Sequence, residues 1–272
     1  MENMTLTKKL RCFGFIGLIF FNSCVQRTYY QNPGVGSFQP YHAMPVASDS
    51  LKSATYANAT IGLGGMNQRL RDDVFSFQSG FHRSHLVSNL RMSYGASIAV
   101  GSYDVETYGP FYPDTVSRIK NTGTKFFGAY GGYGAISASK PMGKRGEWRV
   151  LGIEGSLFNE FGSYYTFRQN LPDSAATTID RKKYLGSLGL TTEFVFKRRS
   201  QNKFGMKFTL GSYLRSLDYY DRYSSSYNYN RHDNLIYFSG VYHATIKKST
   251  AYVQLNFATH ATNIQFGFNY RL

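Results

Sequence analysis

Cysteine is nearly missing from this 272-residue chain: Cys12 and Cys24 are the whole supply, too few for a disulfide framework. The six His residues show no HxxxH spacing, so no metal centre is expected. Long apolar runs are missing too. The most apolar stretch, Cys12 to Phe21, is about half of the ~20 residues that a membrane-crossing helix needs, which excludes a helical span. Acid is scarce: 16 Asp and Glu face 31 Lys and Arg, a formal net charge of +15. The bases are scattered over many short segments and form no stripe with interleaved aromatics, so no nucleic-acid partner is expected. No GxSxG, Walker or GxGxxG pattern stands between a strand and a helix, and Gly128 to Gly134 read as strand glycines instead of a phosphate cradle. No cofactor is implied.

What the chain does hold is 27 Gly, 23 Tyr and 22 Phe, a composition suited to strands. The last segment is the clearest. In 263–272 the residues Ile264, Phe266, Phe268, Tyr270 and Leu272 alternate with Asn263, Gln265, Gly267, Asn269 and Arg271. One greasy and one wet side, with Arg271 on the wet one, suits a wall between lipid and a polar interior. The same period of two recurs upstream. Ala57, Ala59, Ile61 and Leu63 oppose Tyr56, Asn58, Thr60 and Gly62, and a less regular strand runs from about Val74 to His85. Leu90, Met92, Tyr94, Ala96, Ile98 and Val100 then oppose a face of small residues. Lys125 to Ser139 is Gly-rich and aromatic, with faces left unassigned, and Arg149 to Phe158 puts Leu151, Ile153 and Leu157 opposite Gly152, Glu154 and Ser156. Strands at 184–196, 204–215, 236–246 and 251–257 bring the total to ten. The fold expected is all-β: a closed antiparallel transmembrane β-barrel of about ten strands.

The connections sort by length. If the first strand starts from the periplasm, the outward links are 64–73, 103–122, 162–183, 217–234 and a short one near His260. The inward ones are a tight turn near Ser88, then 140–147, 198–202 and 247–250. Long links on one side and short turns on the other fit an outer-membrane barrel, with the long loops outside. Lys140, Lys144, Arg145, Lys197, Arg198, Arg199, Lys203, Lys247 and Lys248 fall at the inward turns, where phospholipid headgroups would neutralise them. The outward links carry Tyr108, Phe111, Tyr112, Tyr164, Tyr165, Phe167, Tyr219, Tyr220, Tyr223, Tyr227 and Tyr229, read as an aromatic girdle at the water boundary.

The start of the chain reads as an address. Lys8, Lys9 and Arg11 precede the short apolar run and then Ser23 and Cys24, so residues 1–23 form a secretory signal. Phe21, Asn22, Ser23 and Cys24 resemble a bacterial lipobox, with Phe21 and Asn22 where the family has Leu and a small residue. That resemblance implies that Cys24 is the lipid attachment site, a diacylated, palmitate-bearing new N-terminus. Loss of residues 1–23 removes Lys8, Lys9, Arg11 and Glu2 and leaves 28 bases and 15 acids, a net of +13. Residues 24–51, with Tyr29, Tyr30, Pro33, Gly34, Gly36, Pro40 and Pro45, show neither period and read as a periplasmic tether rich enough in Tyr to dock on a surface. Val25, Gln26 and Arg27 stand where some surface-displayed lipoproteins carry an acidic cluster, so the anchor is expected in the periplasmic leaflet. Residues 52–272 are the barrel.

Charges on inward faces are the candidate functional residues: Arg91, Glu154, Glu193, Lys207, Arg215, His243 and Arg271 form an expected polar network in the lumen. Pairing across the 198–202 turn sets Glu193 opposite Lys207. A rim hydrolase would use Asp72 with Asp73 and His232 with Asp233, which faintly resemble the acid pairs and acid plus His of ten-stranded outer-membrane proteases. No catalytic residue is assigned.

The lipobox-like residues, the Tyr- and Pro-rich tether, the alternating strands and the final strand together resemble the small β-barrel lipoproteins of Gram-negative outer membranes. The resemblance implies outer-membrane lipid around the wall and insertion by the barrel-assembly machinery through the last strand, where Leu272 replaces the usual terminal aromatic. It also implies a non-enzymatic structural, accessory or surface-binding role, with another envelope protein as a partner through the tether or outer loops. A small passive pore, a rim hydrolase and a soluble lipid-binding periplasmic barrel are the alternatives.

Overall fold

Period-two alternation does here what it does in any β-wall: it turns every second side chain to the same face, and closure decides which face meets the surroundings. The computed structural model describes residues 29–46, 51–67, 72–105, 122–143, 145–172, 178–198, 202–218 and 232–272, the side chains at 216–218 and 232–234 excepted. A two-residue strand, β1 (Tyr29–Tyr30), precedes β2 (Ser53–Met66), β3 (Asp72–Val87), β4 (Leu90–Val105), β5 (Gly123–Met142) and β6 (Gly146–Phe161). Helix α1 (Ser163–Asn170) and strand β7 (Thr178–Ile179) follow, then β8 (Tyr184–Lys197), β9 (Lys203–Asp218), β10 (His232–Ile246), β11 (Ser249–Ala258) and β12 (Ala261–Arg271).

Ten of these strands close into one antiparallel barrel in chain order, sealed where β12 pairs with β2 from Ala261↔Met66 to Arg271↔Tyr56. The register across the β8–β9 turn does set Glu193 opposite Lys207. The strands run further than the periodicity alone marks, so the long links shrink to 67–71, 106–122, 162–183 and 219–231, with the two-residue turn 259–260 beside them. The opposite end has 88–89, 143–145, 198–202 and 247–248. Ser88, Lys247 and His260 take positive φ (55°, 55° and 58°), as the tight two-residue hairpins require. The 162–183 link, read from the sequence only as a long outward connection, contains α1 and β7.

The barrel is inside-out relative to one dissolved in water. Phe208, Phe238 and Phe268 face outward, 39%, 43% and 44% exposed, while Gln78, Asn256, Gln265 and Asn269 on the inward face are buried. The small residues of the inward face have a packing reason. A Cβ on Gly267 would meet the ring of Tyr252 at 2.1 Å, one on Gly101 the ring of Phe127 at 2.5 Å, and one on Gly95 the Tyr133 hydroxyl at 2.6 Å. Each aromatic is the register partner of its glycine on the next strand and lies flat across it. No helix among the described residues is long and apolar enough to cross a membrane.

Candidate functional site

The site is the lumen, and the N-terminal segment fills it. Residues 29–46 are not a tether outside the barrel as their aperiodic sequence implies. Nearly all are buried. Together they run the length of the interior, from the end carrying the long links to the end carrying the short turns. At the link end the Tyr29 ring stacks on His260 at 3.7 Å, and its backbone N–H donates to Asn67 Oδ1 at 2.8 Å. Tyr29 and Tyr30 pair in parallel with Thr178 and Ile179 of β7. The segment then turns at 33–37, where Gly36 adopts φ +78°, a conformation that suits glycine. Its N–H donates to the Tyr213 hydroxyl at 2.5 Å. At the turn end the carbonyls of Met44 and Pro45 accept from Arg149 Nη2 at 3.3 and 3.4 Å.

Having few intrasegment hydrogen bonds, an irregular chain in a closed space must find partners on the wall for its backbone. The inward amides supply them. Gln265 donates to the Ser37 carbonyl at 2.6 Å, Gln254 to that of Gln39 at 2.7 Å and Asn269 to that of Tyr41 at 3.3 Å. His82 Nε2 and Ser84 Oγ both donate to the Ala43 carbonyl, at 2.9 and 3.2 Å. Rings fill the remaining width: Phe38 packs on Phe158 at 5.1 Å, Tyr41 stacks on His243 at 4.5 Å and His42 on Tyr133 at 3.5 Å. Beside the segment are voids of about 20 and 30 Å³, room for one or two waters each.

Two charge clusters bracket this packing. Near the turn end Glu147 accepts Arg91 Nε at 2.8 Å, with Nη2 of the same guanidinium 2.6 Å from its other oxygen, and also accepts Arg149 Nε at 3.2 Å. Arg149 in turn pairs with Glu193, which lies 3.0 Å from His243 Nε2 and accepts from the Tyr41 hydroxyl at 2.9 Å. These charges are all buried, so each depends on its neighbours for solvation that water would otherwise give. Near the link end Arg168 of α1 bridges to Glu160 and Asp180, Arg215 bridges to Asp180 at 2.5 Å, and Asn32 of the segment donates to Glu160 at 2.7 Å. The helix thereby acts as a lid: Tyr164 and Phe167 are buried and Tyr164 stacks on Tyr103 at 3.9 Å. These two rings face the lumen, not the membrane boundary; burial holds the Tyr164 hydroxyl well above the usual phenol range. The other link aromatics expected in a girdle, Tyr165 apart, lie outside the described residues.

Of the seven inward charges expected from the sequence, Arg91, Glu193 and His243 meet in the turn-end cluster. Lys207 pairs with Glu154 between the clusters instead of with Glu193, its register partner, and Glu154 also accepts from Thr209 at 3.1 Å. Arg215 belongs to the link-end cluster. Arg271 lines the turn-end mouth with Lys203, Lys247 and Lys248 and forms no ion pair among the described residues. Arg149 escapes a strict reading of β6 because period two puts it on the outward side with Leu151. A bulge at Val150 breaks the register between Ala138↔Leu151 and Ser139↔Arg149 and turns Arg149 inward, 2% exposed. The N-terminal segment left one signal: residues 28–48 contain no Asp, Glu, Lys or Arg. A solvated tether has no reason to avoid charge over such a length; a segment bound for a confined polar interior does.

Asp72 and Asp73, weighed for hydrolysis, point to opposite faces of the wall. Asp72 points inward and accepts from Asn67 at 2.9 Å and the Tyr103 hydroxyl at 2.8 Å, while Asp73 points outward. The side chains of His232 and Asp233 lie outside the described residues. No group of three metal-binding side chains occurs among the described residues.

No family model matches the chain, and no curated protein does. Among solved structures it is similar to an outer-membrane channel from Pseudomonas putida F1, at 9% identity over 85% of this chain and 100% of that one, with a TM-score of 0.42. The β domain of the Bordetella autotransporter BrkA gives 10% identity, 81% and 98% coverage and 0.36. The outer-membrane protease OmpT from Escherichia coli gives 10%, 81% and 94%, and 0.32. At such scores none of these likenesses bears on what this chain does, and the fold rests on its own strand pairing.

Proposed function

We propose that this chain is an outer-membrane barrel lipoprotein with a structural or accessory role, sealed by its own N-terminal segment, and that it neither conducts nor catalyses. The observation that carries the reading is the burial of residues 29–46 along the whole lumen, with each half tied to the wall through buried charges and amides. Membrane residence is supported by the outward ring of Phe, Leu and Ile around every face of the wall, a surface that water would penalise heavily. A soluble barrel carrying a lipid ligand would need the reverse pattern, an apolar interior. With the long links outside, the bases at the short turns meet phospholipid headgroups of the periplasmic leaflet, and the links offer the surface for an envelope partner.

The test is electrical. The purified full-length chain, reconstituted in a planar bilayer, gives no discrete conductance steps on this reading. Reproducible single-channel steps would establish the alternative of a small pore.

A further inference from the structure

The direction in which the segment runs has a topological result. Strand β2 starts at the turn end, so the chain must leave the lumen there after Val46, and it must therefore have entered at the link end, where Tyr29 sits beside Asn67 and His260. From the geometry we infer that the N-terminus of the mature protein is displayed on the link side of the membrane and that the acyl anchor at Cys24 inserts in the link-side leaflet, with the barrel threaded on its own linker. The acyl group itself rests on the lipoprotein reading above; the direction of threading does not.

Chain reach and the lengths of the connections support this placement. Cys24 is five residues from Tyr29, a reach of roughly 17 Å for fully extended chain, whereas the apolar belt of such a wall is about 25 Å tall. From Tyr29 the anchor cannot return to the turn-side leaflet. Tyr29 lies beside the two shortest connections at that end: Asn67 opens the five-residue link 67–71 and His260 belongs to the two-residue turn 259–260. These hairpins are adjacent, since β12 pairs with β2. The short connections beside the exit give the anchor its path sideways over the wall into the near leaflet. This reverses the periplasmic-leaflet anchor expected from the missing acidic cluster.

It also constrains assembly: with residues 29–46 nearly all buried against the wall, a diacylated end has no room to be drawn through the closed lumen, so the strands close around a segment already in place.

The experiment uses the full chain in intact cells, with an epitope inserted between Gln26 and Arg27 and matched control epitopes in the 106–122 link and the 143–145 turn. Antibody should bind the N-terminal epitope under the same conditions as the link control, while the turn control needs permeabilised cells. An N-terminal epitope that behaves like the turn control overturns the threading. Metabolic labelling with palmitate, lost in Cys24→Ser, separates the two layers. Labelled protein with a turn-side epitope overturns this inference alone, whereas a link-side epitope without label overturns the lipoprotein reading and removes the anchor from this inference.

Discussion

The two halves of the lumen are filled by different physics. From Tyr29 to Phe38 the segment is wedged by shape: Tyr30, Val35 and Phe38 enter one continuous apolar cluster with Phe127, Phe158, Tyr164 and Leu235, under the lid of α1. From Gln39 to Val46 the apolar cluster is small, built on Tyr41, Tyr56 and Tyr252, and the hold passes to the chain of charges from Arg91 through Glu147 and Arg149 to Glu193 and His243. Where the wall offers rings the filler brings rings, and where it offers ions the filler brings a hydroxyl and carbonyls at the turn end and the Asn32 amide at the link end. A segment gripped in two ways is hard to release by any one change of salt or solvent.

Deleting residues 29–46 should have the largest effect, since it removes both grips together. The variant that still inserts should pass current in discrete steps where the full chain is silent; a silent deletion variant would mean that the inward side chains alone close the lumen. Next comes Glu193→Ala, which strands Arg149, His243 and Tyr41 in a buried site. A loss of about 3–5 kcal/mol is expected in denaturant unfolding of the detergent-folded barrel, and a loss below about 1 kcal/mol would show that the charges there are solvated by water. Phe38→Ala cuts the wedge instead and should cost about 3 kcal/mol by the usual scale for a buried phenyl, with no change in its salt dependence. Lys207→Met should be the mildest. The pair with Glu154 is partly exposed and Thr209 remains as a donor, so a change within about 1 kcal/mol is expected. A larger one would place Lys207 in the turn-end cluster.

The contrast between wall and filler also explains what could be read in advance. The wall announces itself because every strand repeats the same two-residue rule, and an error at one strand is corrected by its neighbours; even the register that sets Glu193 opposite Lys207 followed from turn position. Arg149 was hidden by a single extra residue, Val150, which no periodicity marks. The filler obeys no rule of its own because its conformation is imposed by the wall through contacts such as Gln265 to Ser37, 228 residues apart in sequence. Proline, glycine and tyrosine look the same in a linker and in a plug, which is why the segment reads as a tether; the absence of charge from 28 to 48 is the signal that separates the two. Likewise α1 draws its place from Glu160 and Tyr103, not from any amphipathic pattern.

Whether the lumen holds its own N-terminal segment can be asked with one pair of cysteines. A Cβ placed on Gly36 would lie 3.7 Å from that of Ala258, within the span of a disulfide. The φ of +78° at Gly36 adds a strain of about 1–2 kcal/mol that a packed barrel tolerates. In the Gly36→Cys, Ala258→Cys variant, mild oxidation of the folded barrel should yield the 36–258 cross-linked peptide pair by mass spectrometry, and unfolding before oxidation should abolish it. Free thiols at both positions in the folded, oxidised barrel, each open to a membrane-impermeant maleimide, would contradict the account.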